Sequence, residues 1–457
     1  MRGGEPDYTR PKEREMAQTD RPNILFIITH DQGRRLGCYG ADVRTPNLDA
    51  IAADGVMFTR YFCTAAQCSP SRGSIMTGRF PHRNGLMGLA HIGWELHETE
   101  KTLPMLLNGT GYSTHLFGLQ HETRRPDRLG YQHVHLHDGS GRAATAAPEV
   151  VEFLREQGRE SQPFFVNVGL QEPHRPYHRP GYPSDDPARV RPLPYLPDKP
   201  GIREDLAGLN GLIQVVDEAV GRMVGALQET GLADNTLVIF TTDHGIAMPR
   251  AKGTCYDPGI ETALLMRLPG RIEGGMRRDE LLSNVDLLPT LVEFVGGEVP
   301  EDLDGAGFLP LLTGGRYEAR DHILAEMTWH DKYNPTRAIR TREHKYVRNF
   351  GDRPLVFLPL DIYRGRAGEE TRDEFYGSSR PEEELYDLRD DPLEQHNLAA
   401  DPRHEATLRQ LRDRVREWME ATDDPLLAGD VAPTPEQRER LSEGEPNDWP
   451  AGRTERT

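Results

Sequence analysis

The sequence predicts an α/β protein: a mostly parallel sheet sandwiched by helices, followed by a smaller C-terminal α+β part containing a short antiparallel sheet. Three observations carry that expectation. Continuous apolar runs such as NILFIIT (23–29) have the texture of strands buried on both faces of a sheet. Helical patterns alternate with those runs, the arrangement that builds parallel sheets covered on both sides. After about residue 325 the texture changes to short strand-like segments and one final amphipathic stretch.

Taken in order, residues 1–20 (MRGGEPDYTRPKEREMAQTD) are polar and charged and are expected to be a disordered tail. They contain no apolar core of a secretory signal, and no run nears the roughly 20 residues that span a bilayer, so a cytoplasmic protein without membrane contact is expected. The main α/β domain is expected over 21–325. Its first strand ends at His30-Asp31-Gln32-Gly33, and Thr45-Pro46 then starts a short helix closed by Gly55. Pro70 suits the first turn of a helix that ends at Gly78. Further strands are expected at 112–118, 163–169, 236–242 and 263–268. Between them, apolar residues from Leu209 to Leu227 recur at spacings of three and four, with Gly231 placed to cap the helix. Another helix is expected near 285–296. Over 326–425, HILAEMTW, TRAIRTREHKYVRNF and EEELYDLRDD read as antiparallel strands and 403–421 as a helix. The Pro- and Arg-rich stretch 173–200 reads as loop, and 426–457 as a tail.

A formal charge of −18 argues against a nucleic-acid partner, since phosphate neutralisation needs surplus Lys and Arg. It leaves room for a small anionic substrate in a locally basic site. Cys38, Cys63, Cys68 and Cys255 form neither a CxxC pair nor a zinc spacing, so free thiols are expected.

The chemistry-bearing residues collect at one end of the predicted strands. Asp31, His121, His174 and Asp243-His244 each follow a strand, at the edge where open α/β sheets bind ligands. Asp31, Asp243 and His244 offer two hard oxygens and an imidazole, a plausible metal set. An aspartate after a strand also serves commonly as a helix cap or turn residue. Cys68 falls at or just before a helix N-terminus, where backbone N–H groups favour anions, and Arg72 lies one turn further on.

The string CSPSR (68–72), followed by GSIMTGRFPHRNGL, resembles the signature of formylglycine-dependent sulfatases of the alkaline phosphatase superfamily. The resemblance extends through TPNLDAIAADGVMFTRYF, PFFVNVGLQEPHRPY, TLVIFTTDHG and LYDLRDDPLEQHNLAADPR. DHGIAMPRAKGTCYDPG and LRDRVREWMEATDDPLL place it nearest the heparan N-sulfatase (sulfamidase) group. It implies an alkaline-phosphatase-like fold and hydrolysis of a sulfate ester or sulfamate on a small sulfated substrate, such as an N- or O-sulfated sugar. It further implies that a formylglycine-generating enzyme oxidises Cys68 to formylglycine. Its hydrate would attack sulfur beside one divalent cation, calcium by family precedent, with manganese and magnesium as alternatives. Asp31, Cys68, Asp243 and His244 match the metal-ligand positions. Arg72 matches the arginine that orients the diol, His121 the base for the second hydroxyl, His174 the acid for the leaving atom, and Lys252 a sulfuryl-binding cation.

Two departures stand out against that pattern. The usual paired aspartates after the first strand are replaced by His30-Asp31, with His30 a metal ligand, a group behind the ligands or a packed histidine, the second being favoured. Asp31-Gln32 together with Asp243-His244 resembles choline sulfatases and phosphonate monoester hydrolases, so phosphonate monoester or phosphodiester hydrolysis is the alternative. The family lysine two residues before His121 is here Leu119. Either Arg124, Arg83 or Lys252 compensates, or the substrate carries less charge to neutralise, or the chain is a catalytically impaired binding homologue; an active enzyme is expected because the other site residues are present. Segments 86–103 and 175–200 are expected to shape the pocket, with Trp94 and His97 at hand. The acidic charge favours a small or end-trimmed substrate, and nothing in the sequence sets an oligomeric state.

Overall fold

The computed structural model describes residues 21–136, 140–157, 162–444 and 446–449; the expected tail 1–20 and residues 450–457 lie outside them. The strands are β1 (Asn23–Thr29), β2 (Val56–Phe58), β3 (Tyr61–Phe62), β4 (Ser113–Gly118), β5 (His133–His135), β6 (Phe164–Gly169) and β7 (Thr236–Thr242). They continue as β8 (Leu264–Arg267), β9 (Met276–Arg278), β10 (Leu282–Ser283), β11 (His322–Trp329), β12 (Tyr333–Thr341), β13 (His344–Asn349) and β14 (Glu383–Asp387).

All seven residues of β1 are buried, because both faces of its sheet are covered. Ile24, Phe26 and Ile28 pack with Ile75 and Leu291 of helices Cys68–Thr77 and Leu287–Phe294 on one face. Leu25 and Ile27 pack with Val150 and Val216 of helices Ala143–Gln157 and Pro200–Glu229 on the other. Side chains alternate across a strand, so a run apolar at every position is what a doubly covered strand requires.

The main sheet has the order β5-β4-β6-β1-β7-β8-β2-β9. From β5 to β7 every pairing is parallel. β8 departs from the expected parallel arrangement and runs antiparallel to both β7 and β2. A parallel return needs a crossover helix. The chain between β7 and β8 contains only the four-residue helix Asp257–Ile260 and is used instead to line the site.

The second sheet, β11-β12-β13-β14, is wholly antiparallel. Helix Glu405–Ala421 covers it by placing Leu408, Leu411 and Val415 on Ile339, Tyr346 and Leu385. Arg337 of β12 is fully buried and pairs with Asp424 beyond that helix and with Glu326 of β11, while Glu326 also holds His82 at 2.7 Å.

The stretch 426–457, expected as a tail, is corrected for its described residues. Pro435–Ser442 is a helix whose N-cap, Thr434, accepts from the Gln437 N–H at 3.0 Å. Gln437 is buried and donates to the Asp331 carbonyl at 2.9 Å, and Asn447 donates to the Leu358 carbonyl at 3.1 Å. Among the described residues no helix is long and apolar enough to cross a membrane.

Candidate active site

The loops after β1 and β7 lie against each other, and that contact assembles the site. Gly33 donates to the His244 carbonyl at 2.8 Å, and a Cβ at Gly245 would fall 1.9 Å from the Pro258 carbonyl oxygen, so only glycine fits there. Asp31 adopts φ 61°, a left-handed conformation that is costly for a non-glycine residue. In that conformation its N–H donates to Asp243 Oδ1 at 2.9 Å. His244 N–H donates to the same oxygen at 2.8 Å.

Helix Cys68–Thr77 enters between these loops, all ten of its residues buried. Cys68 begins the helix, with its Sγ 2.8 Å from His30 Nε2, 3.4 Å from His244 Nε2 and 3.7 Å from Asp31 Oδ1. Arg72 Nε donates to Asp243 Oδ2 at 3.1 Å and its Nη2 to the Thr29 carbonyl at 3.1 Å. The guanidinium expected to turn back toward residue 68 is thus bonded to a carboxylate beside it. His30, whose part the sequence leaves open, is in direct contact with residue 68.

One candidate ligand atom from each of His30, Asp31, Cys68, Asp243 and His244 lies within 4.8 Å of all the others, and all five residues are buried. Burial opposes ionisation of Asp31, yet Lys252 and the surrounding imidazoles hold its carboxyl well below the usual range. Burial also disfavours a charged His244, but Asp243, Cys68 and Asp31 pull its pKa well above the ordinary value. The cluster thus gathers two carboxylates and two imidazoles, oxygen and nitrogen donors that suit a divalent cation once His244 gives up its proton. Gln32, fully buried beside Asp31, has neither amide atom hydrogen-bonded. An orphaned carbonyl oxygen at this point fits a cation ligand as well.

A cavity of about 300 Å³ opens over Cys68, with His121, His174 and Lys252 in its wall. Lys252 Nζ donates to Asp31 Oδ2 at 2.8 Å and to Asp361 Oδ2 at 3.0 Å. His174 donates from Nδ1 to the Arg175 carbonyl at 2.6 Å, which fixes the tautomer with Nε2 unprotonated when the ring is neutral. Its Nε2 lies 3.8 Å from Asp31 Oδ2. Burial, and then Arg72, push His121 down to about 3; burial also lowers His174, against the pull of Asp31. Both rings are neutral near pH 7.

Every sequence-predicted site residue thus converges here. The compensating cations do not. Arg83 pairs with Asp302 and Asp304, and Arg124 with Glu95 and Glu436, leaving Lys252 as the cation of the three that reaches the site. Trp94 packs near Trp329 at 6.3 Å; it is Leu89 and His91 of segment 86–103 that line the cavity. Sequence reading missed His330, Asp361, Arg364 and Arg440. All four lie in the C-terminal part, and no motif marks them.

Two family models match the chain: Sulfatase over residues 22–297 and N-sulphoglucosamine sulphohydrolase, C-terminal, over 250–358. An ulvan-active sulfatase of Formosa agariphila is 31% identical over 445 residues, covering 91% of this chain and 83% of that protein. N-sulphoglucosamine sulphohydrolase of Homo sapiens is 30% identical over 482 residues, covering 92% and 93%. The crystal structure of phosphonate monoester hydrolase of Agrobacterium radiobacter shares the fold, with a TM-score of 0.69 at 23% identity over 89% of this chain and 97% of that one. A family model spanning more than half the chain, full-length relatives at this identity and a buried acid–imidazole–cysteine cluster lead to one assignment: the chain belongs to the sulfatase family, the hydrolases of sulfuric esters.

Proposed function

We propose that the protein removes sulfate from a sugar, as a sulfate ester or sulfamate, with residue 68 as nucleophile after its conversion from cysteine to formylglycine. The observation that carries this is the place of Cys68: at a helix start, on the floor of a cavity, inside a cluster of cation-binding side chains. The hydrated aldehyde supplies two hydroxyls on one carbon, one to attack sulfur and one to lose its proton and expel sulfate, a sequence that serine cannot complete.

Asp31, Asp243 and His244, with residue 68 and the Gln32 amide oxygen, would hold the divalent cation. The family resemblance favours calcium; manganese and magnesium suit the imidazole in the set. Bound there, the cation polarises a sulfuryl oxygen and acidifies a neighbouring hydroxyl.

The chain's own residues do the remainder. Arg72 fixes Asp243 and offsets negative charge at the floor. Lys252 fixes Asp31 and presents its ammonium to the sulfuryl oxygens, taking the part of the lysine that Leu119 cannot play. His121, kept neutral by burial and Arg72, is suited to accept a proton from the second hydroxyl. His174 serves the leaving atom, because the negative charge brought by a bound sulfate raises the proton affinity of a ring already oriented by the Arg175 carbonyl. The ulvan-active sulfatase and the N-sulphoglucosamine sulphohydrolase support a sulfated sugar as the substrate class.

The test is co-expression with a formylglycine-generating enzyme, mass spectrometry of the peptide containing residue 68, and turnover of N-sulfated glucosamine, an aryl sulfate and an aryl phosphonate. Aldehyde at residue 68 with preference for a sulfated compound is expected. An intact thiol in fully matured protein, or no turnover, would overturn the reading. A second reading, phosphonate monoester hydrolysis, is favoured by the Asp31-Gln32 and Asp243-His244 pairs; preference for the phosphonate over every sulfate would establish it.

A further inference from the structure

A second cavity, of about 380 Å³, adjoins the one over Cys68, and Asp361 and Arg364 line both. The charged groups around them are largely committed to one another. Asp361 is taken by Lys252, Arg175 is tied to Asp205 at 2.7 Å, and Arg366 pairs with Glu204. Arg364 is different: it is exposed at the junction of the two cavities, and its side chain has neither an ion pair nor a hydrogen bond among the described residues. Lysines and arginines outnumber carboxylates five to three over the two linings, in a chain whose net charge is −18. The cleft is locally basic, and a low-dielectric cleft concentrates its own field whatever the sign of the outer surface.

We propose that Arg364 is a specificity-determining residue that binds a second oxyanion, a carboxylate or a sulfate carried by the sugar next to the one that loses its sulfate. This rests on the sulfuric-ester reading given above, and it narrows the expected small or end-trimmed substrate to a doubly anionic one of at least two sugars. An arginine fork matches either oxyanion through two parallel N–H···O bonds, and the partial desolvation of a cleft strengthens them. The bulk acidity of the chain does not describe this cleft.

The experiment compares matured wild type with Arg364→Gln and Arg364→Lys on four substrates: an aryl sulfate, and sulfated glucosamine linked to a uronate, to a sulfated hexose or to a neutral hexose. For the two acidic disaccharides, Arg364→Gln is expected to raise KM roughly ten- to fiftyfold, the loss of a charge-assisted pair, with kcat little changed. Arg364→Lys is expected to recover part of that loss. The aryl sulfate and the neutral disaccharide are expected to shift less than about twofold, since they lack the second oxyanion. Comparison of the uronate and sulfate arms identifies the oxyanion. Equal effects on acidic and neutral disaccharides, or no preference for acid in the wild type, would overturn the proposal. Calorimetry of the same disaccharides with unmatured protein reads the Arg364 contact without turnover. If no substrate is hydrolysed but binding remains acid-selective and dependent on Arg364, the catalytic reading fails and the contact stands; loss of that selectivity sinks the contact itself.

Discussion

His174 shows how one side chain's task is written in its surroundings. Its Nδ1–H is occupied by the Arg175 carbonyl, so only Nε2 is available to a leaving group. If it delivers a proton there, the need for it depends on how poor the leaving group is. We expect His174→Ala to lower kcat on a sugar sulfate or sulfamate about 10²- to 10⁴-fold, and far less on a nitrophenyl sulfate, whose leaving group departs without a proton. Steady-state kinetics on the two substrates checks this, and an equal loss on both would assign His174 to binding instead. His174 was legible in the sequence because the apolar strand before it ends where chemistry belongs; so were Asp31, His121 and Asp243-His244. His30 was only half legible. Its position beside Asp31 is plain, but its contact with Cys68 at 2.8 Å depends on where the helix of 68–77 enters, which no local pattern states.

At the scale of elements, strands buried on both faces were readable because apolarity at every position has few other meanings. The reversal at β8 was not, since a strand's direction is set by the connection before it and leaves no trace in its own residues. The helix Pro435–Ser442 was missed for a related reason. Its residues, PEQRERLS, are nearly all polar, and a helix that short is not stable alone. It is held by the Thr434 cap, by buried Gln437, which bonds the site loop at 331, and by the neighbouring Asn447, which bonds the segment at 358. The same segment places Arg440 in the cavity wall. Truncation after Ala432 is therefore expected to lower Tm by several degrees and to raise KM more than it lowers kcat, as thermal unfolding and kinetics would show. A truncated protein with unchanged KM would mean that the helix is ornamental to the site.

At the scale of the molecule, buried charge ties the antiparallel sheet to the segment after helix Glu405–Ala421 and, through Glu326, to His82 of the main domain. Arg337, with no exposure, answers both Asp424 and Glu326. Replacing it with Met would leave two buried carboxylates without their cation, at a cost of about 3–5 kcal/mol, readable in urea denaturation. A second buried group gives stability a pH dependence. Burial raises Glu394 to about 7 despite its contact with Lys345, so between about pH 4.5 and 7 the folded protein holds a proton that the unfolded chain has released. Unfolding then releases a proton, and stability falls as pH rises through that window. Glu394→Gln is expected to flatten the fall, gaining up to about 3 kcal/mol above pH 7; an unchanged slope in urea titrations from pH 5 to 8 would dismiss it. The order of these parts along the chain also gives the catalytic centre a chronology. Residues 31 and 68, which form its floor, leave the ribosome long before Arg440, which stands in its wall. During synthesis the centre lacks that wall, and residue 68, 3% exposed in the finished fold, is most open to its surroundings before the chain is complete.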